Sequence, residues 1–165
     1  MHLDVRVQVN DFDVGAEYAA LRQRLPAQAG AVASFVGLVR DLAPAGDGAD
    51  AAAEVRGLHL EHYPGMTERS IAAIAERAGQ RWPLLDVVVI HRVGSLAPTA
   101  QIVYVQVASS HRAAAFSACE MIMDHLKTDA VFWKREDTDR GSRWVEAASS
   151  DLSRVSGWND GAGNA

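Results

Sequence analysis

The chain has 165 residues and a formal net charge of −5 at pH 7, with 48% hydrophobic and 22% charged residues. That length fits one domain of ordinary globular composition, and the acidic balance argues against a dedicated nucleic-acid binder. One cysteine excludes an intramolecular disulfide framework and any four-thiolate metal site, and no apolar run reaches the ~18 residues of a membrane span.

The N-terminal segment MHLDVRVQVN carries no signal-peptide core, so a cytoplasmic location is expected. Val5, Val7 and Val9 alternate with Arg6 and Gln8, the period-2 pattern of a half-buried strand. Asp13 caps a predicted helix from Val14 to about Leu25, closed by Pro26 and Gly30. Ala31 to Val39 is a continuous apolar run and reads as a central strand. The stretch 43–53 is small, Gly-containing and without periodicity, which predicts a mobile loop within one domain.

Val55 to Tyr63 predicts a further strand, ended by Pro64 and Gly65. Thr67 opens a helix to about Trp82, with Ile71, Ile74, Ala75 and Ala78 on one stripe and Pro83 as its stop. Leu85 to Ile90 and Ile102 to Ala108 are strands, separated by a turn region around Gly94 and Pro98. Ser110 caps a helix to about Lys127, whose expected core stripe is Phe116, Cys119, Met123 and Leu126. Short strands around Val131 to Arg135 and Arg143 to Val145 complete a unit spanning 1–148, and 149–165 reads as a polar, flexible tail. The order β-α-β-β-α-β-β-α-β-β predicts an α+β domain with a mixed or antiparallel sheet.

His111 and Arg112 fall in the first turn of the third predicted helix, where unpaired N–H groups already carry positive charge. An anion resolves that conflict, and free N–H groups, a guanidinium and an imidazole together suit a phosphate. The alternative is that Arg112 turns back to a surface carboxylate. Lys127 ends the helix, where a cation complements the dipole and needs no function. Lys134 shares a strand face with Phe132, while Trp133 and Arg135 share the other. A lysine desolvated among aromatics can serve as acid, base or nucleophile, but a solvated head on a buried stem explains the same pattern. Arg40 closes the run GLVR beside the flexible stretch, a place suited to ligand binding or to an ordinary strand-end charge.

His59 and His62 point to opposite strand faces and form no metal pair, and Cys119 on the core stripe reads as a small buried hydrophobe. No Gly-rich phosphate loop, nucleophile elbow or metal-ligand cluster is present in the sequence. The residues by themselves describe a basic, anion-accepting pocket without a conventional nucleophile.

Six segments in order then resemble one family, the large catalytic subunit of molybdopterin synthase, or MoaE type. They are FVGLVR (Phe35 to Arg40), LEHYPGM (Leu60 to Met66), HRVG (His91 to Gly94), SSHRAAAF (Ser109 to Phe116), MDHLKTDAVFWKRE (Met123 to Glu136) and RWVEA (Arg143 to Ala147). The resemblance implies an α/β hammerhead with an added small antiparallel β subdomain. It implies a sulfur transferase that converts cyclic pyranopterin monophosphate to molybdopterin by forming a dithiolene. The sulfur would arrive as a thiocarboxylate on the C-terminal Gly-Gly of a small ubiquitin-like, MoaD-type partner, two of which flank a homodimer of large subunits. No cofactor or metal is implied.

By the same resemblance Lys127 is the essential catalytic lysine, with Lys134 supporting it. Leu38, Val39, Arg40, His111, Arg112, Lys127, Lys134, Arg135 and Glu136 would surround the substrate, His111 and Arg112 holding its phosphate. Some relatives carry lysine in place of Leu38 and arginine near Ala148, so those contributions are lost here. Two other functions use the same residues. One is a non-catalytic module that binds a phosphometabolite, and the other is a scaffold that docks a ubiquitin-like protein.

Overall fold

The structure, a computed structural model, describes residues 1–41, 55–139, 141–145 and 149–160. The expected mobile loop 43–53 and Ala148 lie outside the described residues. Four strands form the first sheet: β1 (His2–Gln8), β4 (Leu84–Arg92), β6 (Gln101–Ser109) and β2 (Ala31–Leu38), in that spatial order. β1 runs parallel to β4 and the other pairs are antiparallel, so the sheet is mixed.

Both faces of this sheet are covered, which is why β4 reads as an unbroken apolar run rather than an alternation. On one face lie α2 (Met66–Arg81) and α3 (Arg112–Thr128), packing Ile71, Ile74, Ala118 and Ile122 against Val87, Val89, Val105 and Val107. On the other lies α1 (Val14–Arg24), whose Leu21 joins Phe12, Val88, Ile90 and Tyr104. Charge pairs fix α1 at both ends. Arg6 donates to Glu17 at 2.9 and 2.5 Å, and Arg24 grips the buried Asp86 carboxylate at 2.6 and 3.0 Å. A carboxylate only 3% exposed must be paired, and removing its cation costs on the order of 3 kcal/mol.

Two helix starts differ from the sequence expectation. α2 begins one residue before Thr67 because Gly65, at φ 79°, takes the cap position and its N–H donates to Glu68 at 2.6 Å. The Thr67 hydroxyl is instead buried, accepting from the Tyr63 N–H and donating to the Val131 carbonyl. α3 is capped by His111 rather than Ser110. The Ser110 carbonyl lies against the backbone of Gly30, where an added Cβ would sit 2.3 Å from it, so only glycine lets β2 approach there.

The second sheet is entirely antiparallel, in the order β5 (Gly94–Leu96), β3 (Val55–His62), β7 (Phe132–Thr138) and β8 (Gly141–Val145). It rests on the first sheet through Leu58, Leu60 and Leu96 packed with Val39 and Val93. This is the expected mixed sheet with a small antiparallel subdomain. β5 falls in the region expected as a turn, because three residues carry no readable period.

Ser149 to Asp160, expected as part of a flexible tail, form the helix α4. Two apolar anchors suffice to dock it. Val155 is buried, and Trp158 packs edge-on against Trp82 with centroids 5.9 Å apart. Trp158 Nε1 donates to Asp124, and Arg81 donates to the Trp158 carbonyl. Residues 161–165 lie outside the described residues. Among the described residues no helix is long and apolar enough to cross a membrane.

The fold also buries His91, which stacks on Phe132 at 4.0 Å and donates from Nδ1 to the Arg92 carbonyl at 2.8 Å. Burial pushes its imidazole from 6.5 down to about 4, against the pull of the Arg92 carbonyl and with help from nearby His62. The unfolded chain therefore takes up this proton before the folded one does. The resulting stability is complete above pH 6.5 and is lost as pH falls towards about 4, amounting to on the order of 3 kcal/mol. Thermal unfolding midpoints should fall between neutral pH and pH 4 in the native chain and fall less in His91→Leu. Parallel profiles for the two proteins would contradict the assignment.

Candidate functional site

A cleft of about 540 Å³ opens between β2, α3 and α4. β2 contributes Ala33, Ser34 and Phe35. α3 contributes Phe116, Cys119, Glu120, Met123, Asp124 and Lys127, and α4 contributes Arg154. The α3 residues recur every three or four positions, which places them on one stripe. The adjoining face, with Ala115, Ala118 and Ile122, is the one pressed onto the sheet. Small side chains there let the helix come close.

Phe116 is therefore not a core residue, as its place on the expected core stripe predicted, but a cleft wall that is 67% exposed. Cys119 is buried as expected, yet it also touches the cleft. Burial, with Glu120 adding to it, pushes its thiol up to about 11. It stays protonated at neutral pH and offers no thiolate.

Four charged side chains line the cleft, and the two carboxylates share one partner. Arg154 Nε donates to Asp124 Oδ1 at 2.8 Å, and its Nη2 donates to Glu120 Oε1 at 2.6 Å. The second Asp124 oxygen accepts from Trp158 at 2.8 Å. Lys127 closes the C-terminal end of the stripe.

The sequence-predicted cations do not all share this cleft. His111 and Arg112 are exposed at the start of α3. Arg112 continues the cleft stripe one turn before Phe116, but fifteen residues separate it from Lys127, which is ~22 Å of helix. Leu38 and Arg40 are exposed at the end of β2, whereas Val39 between them is buried under the second sheet. Val39 exchanges backbone hydrogen bonds with Thr99 and Ala100, so its role is packing.

Lys134 and Glu136 share a face of β7, and Lys134 Nζ lies 3.3 Å from Glu136 Oε1. The other Glu136 oxygen accepts from Arg143 at 3.0 Å. Burial raises the Glu136 carboxyl, but Arg143 and Lys134 outweigh it and hold it below the usual carboxylate range. Lys134 is thus an ion-paired lysine, 36% exposed at its side chain. Arg135 lies on the opposite face, its guanidinium 6.0 Å from the Trp144 ring and its Nε 3.3 Å from Asp137. His59 meets Ser95 at 3.0 Å, while His62, three residues on, lies within electrostatic reach of His91.

Sequence reasoning missed Arg154 and Glu120. The signal for Arg154 was present in its neighbours Val155 and Trp158, spaced to anchor one helical turn, but the polar composition around them hid it.

The model of the MoaE protein family matches residues 7–129. The molybdopterin synthase catalytic subunit of Ralstonia nicotianae is 55% identical over 154 residues, covering 93% of this chain and 83% of that protein. Among solved structures, the molybdopterin biosynthesis MoaE protein of Burkholderia ambifaria superposes with a TM-score of 0.78 at 50% identity, covering 96% of this chain and 99% of the other. Molybdopterin synthase from Staphylococcus aureus superposes with a TM-score of 0.72 at 26% identity, covering 85% and 95%. The chain belongs to the MoaE family.

The Glu136 cluster carries its own test. A carboxylate whose folded pKa is depressed stabilises the fold above its unfolded value and loses that contribution as pH falls through the folded one. Glu136→Gln should cost on the order of 2 kcal/mol at neutral pH in urea unfolding, with the gap to the native chain closing in acid. A gap that stays constant with pH would show that the two cations do not stabilise the carboxylate.

Proposed function

We propose that the chain is the catalytic subunit of a molybdopterin synthase, the sulfur transferase that builds the dithiolene of molybdopterin on cyclic pyranopterin monophosphate. The observation that carries this is the cleft along α3, which pairs an aromatic wall of Phe35 and Phe116 with a terminal lysine and no usable sulfur nucleophile. Its one cysteine is a buried, protonated thiol, so the sulfur must come from outside. A small ubiquitin-like partner with a C-terminal Gly-Gly thiocarboxylate supplies it, and its narrow tail suits a groove of this volume.

Lys127 is then the group that meets the reacting anions. Its ammonium stabilises negative charge as the thiocarboxylate sulfur bonds to a side-chain carbon of the pterin and displaces the oxygen there, and as water then splits the acyl–sulfur bond to leave a carboxylate tail and a pterin-bound thiolate. The reaction needs the substrate phosphate held nearby, and a small pterin phosphate does not span the ~22 Å between Lys127 and Arg112 of one helix. A homodimer resolves this if the second copy turns the N-terminal end of its α3 towards the first copy's cleft. His111 and Arg112 of one copy then hold the phosphate, while Lys127 of the other acts on the pterin. Lys134 and Arg40 add positive charge at the margins, and Glu136 holds Lys134 in place.

The catalytic unit in this reading is 1–148, with α4 docked on it, and the enzyme works in the cytoplasm. A non-catalytic phosphometabolite module or a docking scaffold would need neither the lysine at the cleft end nor the family's sequence over most of the chain. The test is reconstitution with a thiocarboxylated small subunit and cyclic pyranopterin monophosphate. Lys127→Ala should lose dithiolene formation by at least about a hundredfold while still binding the small subunit. Full turnover in that variant would overturn the assignment.

A further inference from the structure

The cleft that leads to Lys127 presents two carboxylates on the same helical stripe. Glu120 and Asp124 are one turn apart, and Asp124 is three residues before Lys127. Left uncompensated, this pair would oppose entry of anionic reactants, and the inference rests on the reading that such reactants use this cleft. The compensation comes from α4. Arg154 reaches one oxygen of each carboxylate, Trp158 one turn later takes the second oxygen of Asp124, and buried Val155 holds the helix down between them.

We propose that Arg154 is a positioning residue for sulfur transfer. α4 lays its guanidinium across Glu120 and Asp124 and offsets one of their two negative charges, so that with Lys127 the cleft carries no net negative charge and the thiocarboxylate tail and the pterin phosphate are admitted. A guanidinium suits this role because its fork of N–H groups can satisfy two carboxylates at once and it stays charged at any working pH. Two of its N–H groups are committed to α3, so it acts through the carboxylates.

The experiment uses the full-length chain assembled with its thiocarboxylated small subunit, supplied with cyclic pyranopterin monophosphate. Arg154→Gln should raise KM for the small subunit roughly five- to tenfold at low salt, with kcat within about twofold of the native value. The defect should shrink as salt is added, because screening weakens repulsion between the incoming tail and the uncompensated carboxylates, of which Glu120 is exposed. Arg154→Lys should restore most of the affinity. The double variant Glu120→Gln, Arg154→Gln should also recover it, since one of the charges to be cancelled is gone.

If Arg154 were only a latch for α4, the double variant would be as weak as Arg154→Gln and the defect would not respond to salt, and the proposal would fall. Native kinetics in Arg154→Gln alongside an inactive Lys127→Ala would also overturn it while leaving the cleft as the site. Native kinetics in both variants would remove the cleft from the reaction altogether.

Discussion

The fixed rise of one α-helix governs the layout of this protein. α3 is seventeen residues long and is pinned to the sheet by its alanine-rich face, so its cations cannot migrate towards one another. Lys127 stands at one end of the stripe and Arg112 at the other. The function proposed above needs both around one small substrate, and in that proposal a second copy of the chain completes the site. The same rigidity makes the cleft well defined, because β2 and α4 close against a helix that does not bend away.

Electrostatics then decides what the cleft can hold. The chain is acidic overall, and within the cleft α3 contributes as many carboxylates as α4 and α3 together contribute cations. Attraction for anions therefore depends on how those charges are paired. Glu136 shows the same logic on β7, where it fixes Lys134 and Arg143 on one side of the second sheet. The two arrangements are opposite in sign: in the cleft two carboxylates share Arg154, and on β7 two cations share Glu136. Cys119 completes the picture: burial makes the only thiol in the chain a packing group, and sulfur chemistry is left to a reagent brought from outside.

Much of this was legible in the sequence, for physical reasons that can be named. The valines of β4 and β6 and the Ile71, Ile74, Ala75, Ala78 stripe of α2 announce their burial because period and apolarity coincide there. α3 was harder. Its largest apolar side chain, Phe116, faces the cleft, while the face that packs on the sheet is made of alanines that carry little hydrophobic signal. β5 is held by pairing to β3 and not by its own pattern, and α4 is held by two anchors in an otherwise polar stretch. The candidate site residues were read from the sequence as types, a lysine at a helix end and a His-Arg pair at a helix start. Their separation was already implicit in the numbering, fifteen residues of helix, but it gains meaning only when the helix is seen to be unbroken.

The most direct measurement mixes two disabled chains. Lys127→Ala and Arg112→Ala are each prepared as inactive complexes, then co-assembled so that dimers containing one of each form. If the reaction centre draws its lysine from one copy and its phosphate-binding arginine from the other, each mixed dimer regains one intact centre and about half the native turnover. A mixture as inactive as either parent would contradict a shared centre and would require both ends of α3 to serve the same substrate within one chain.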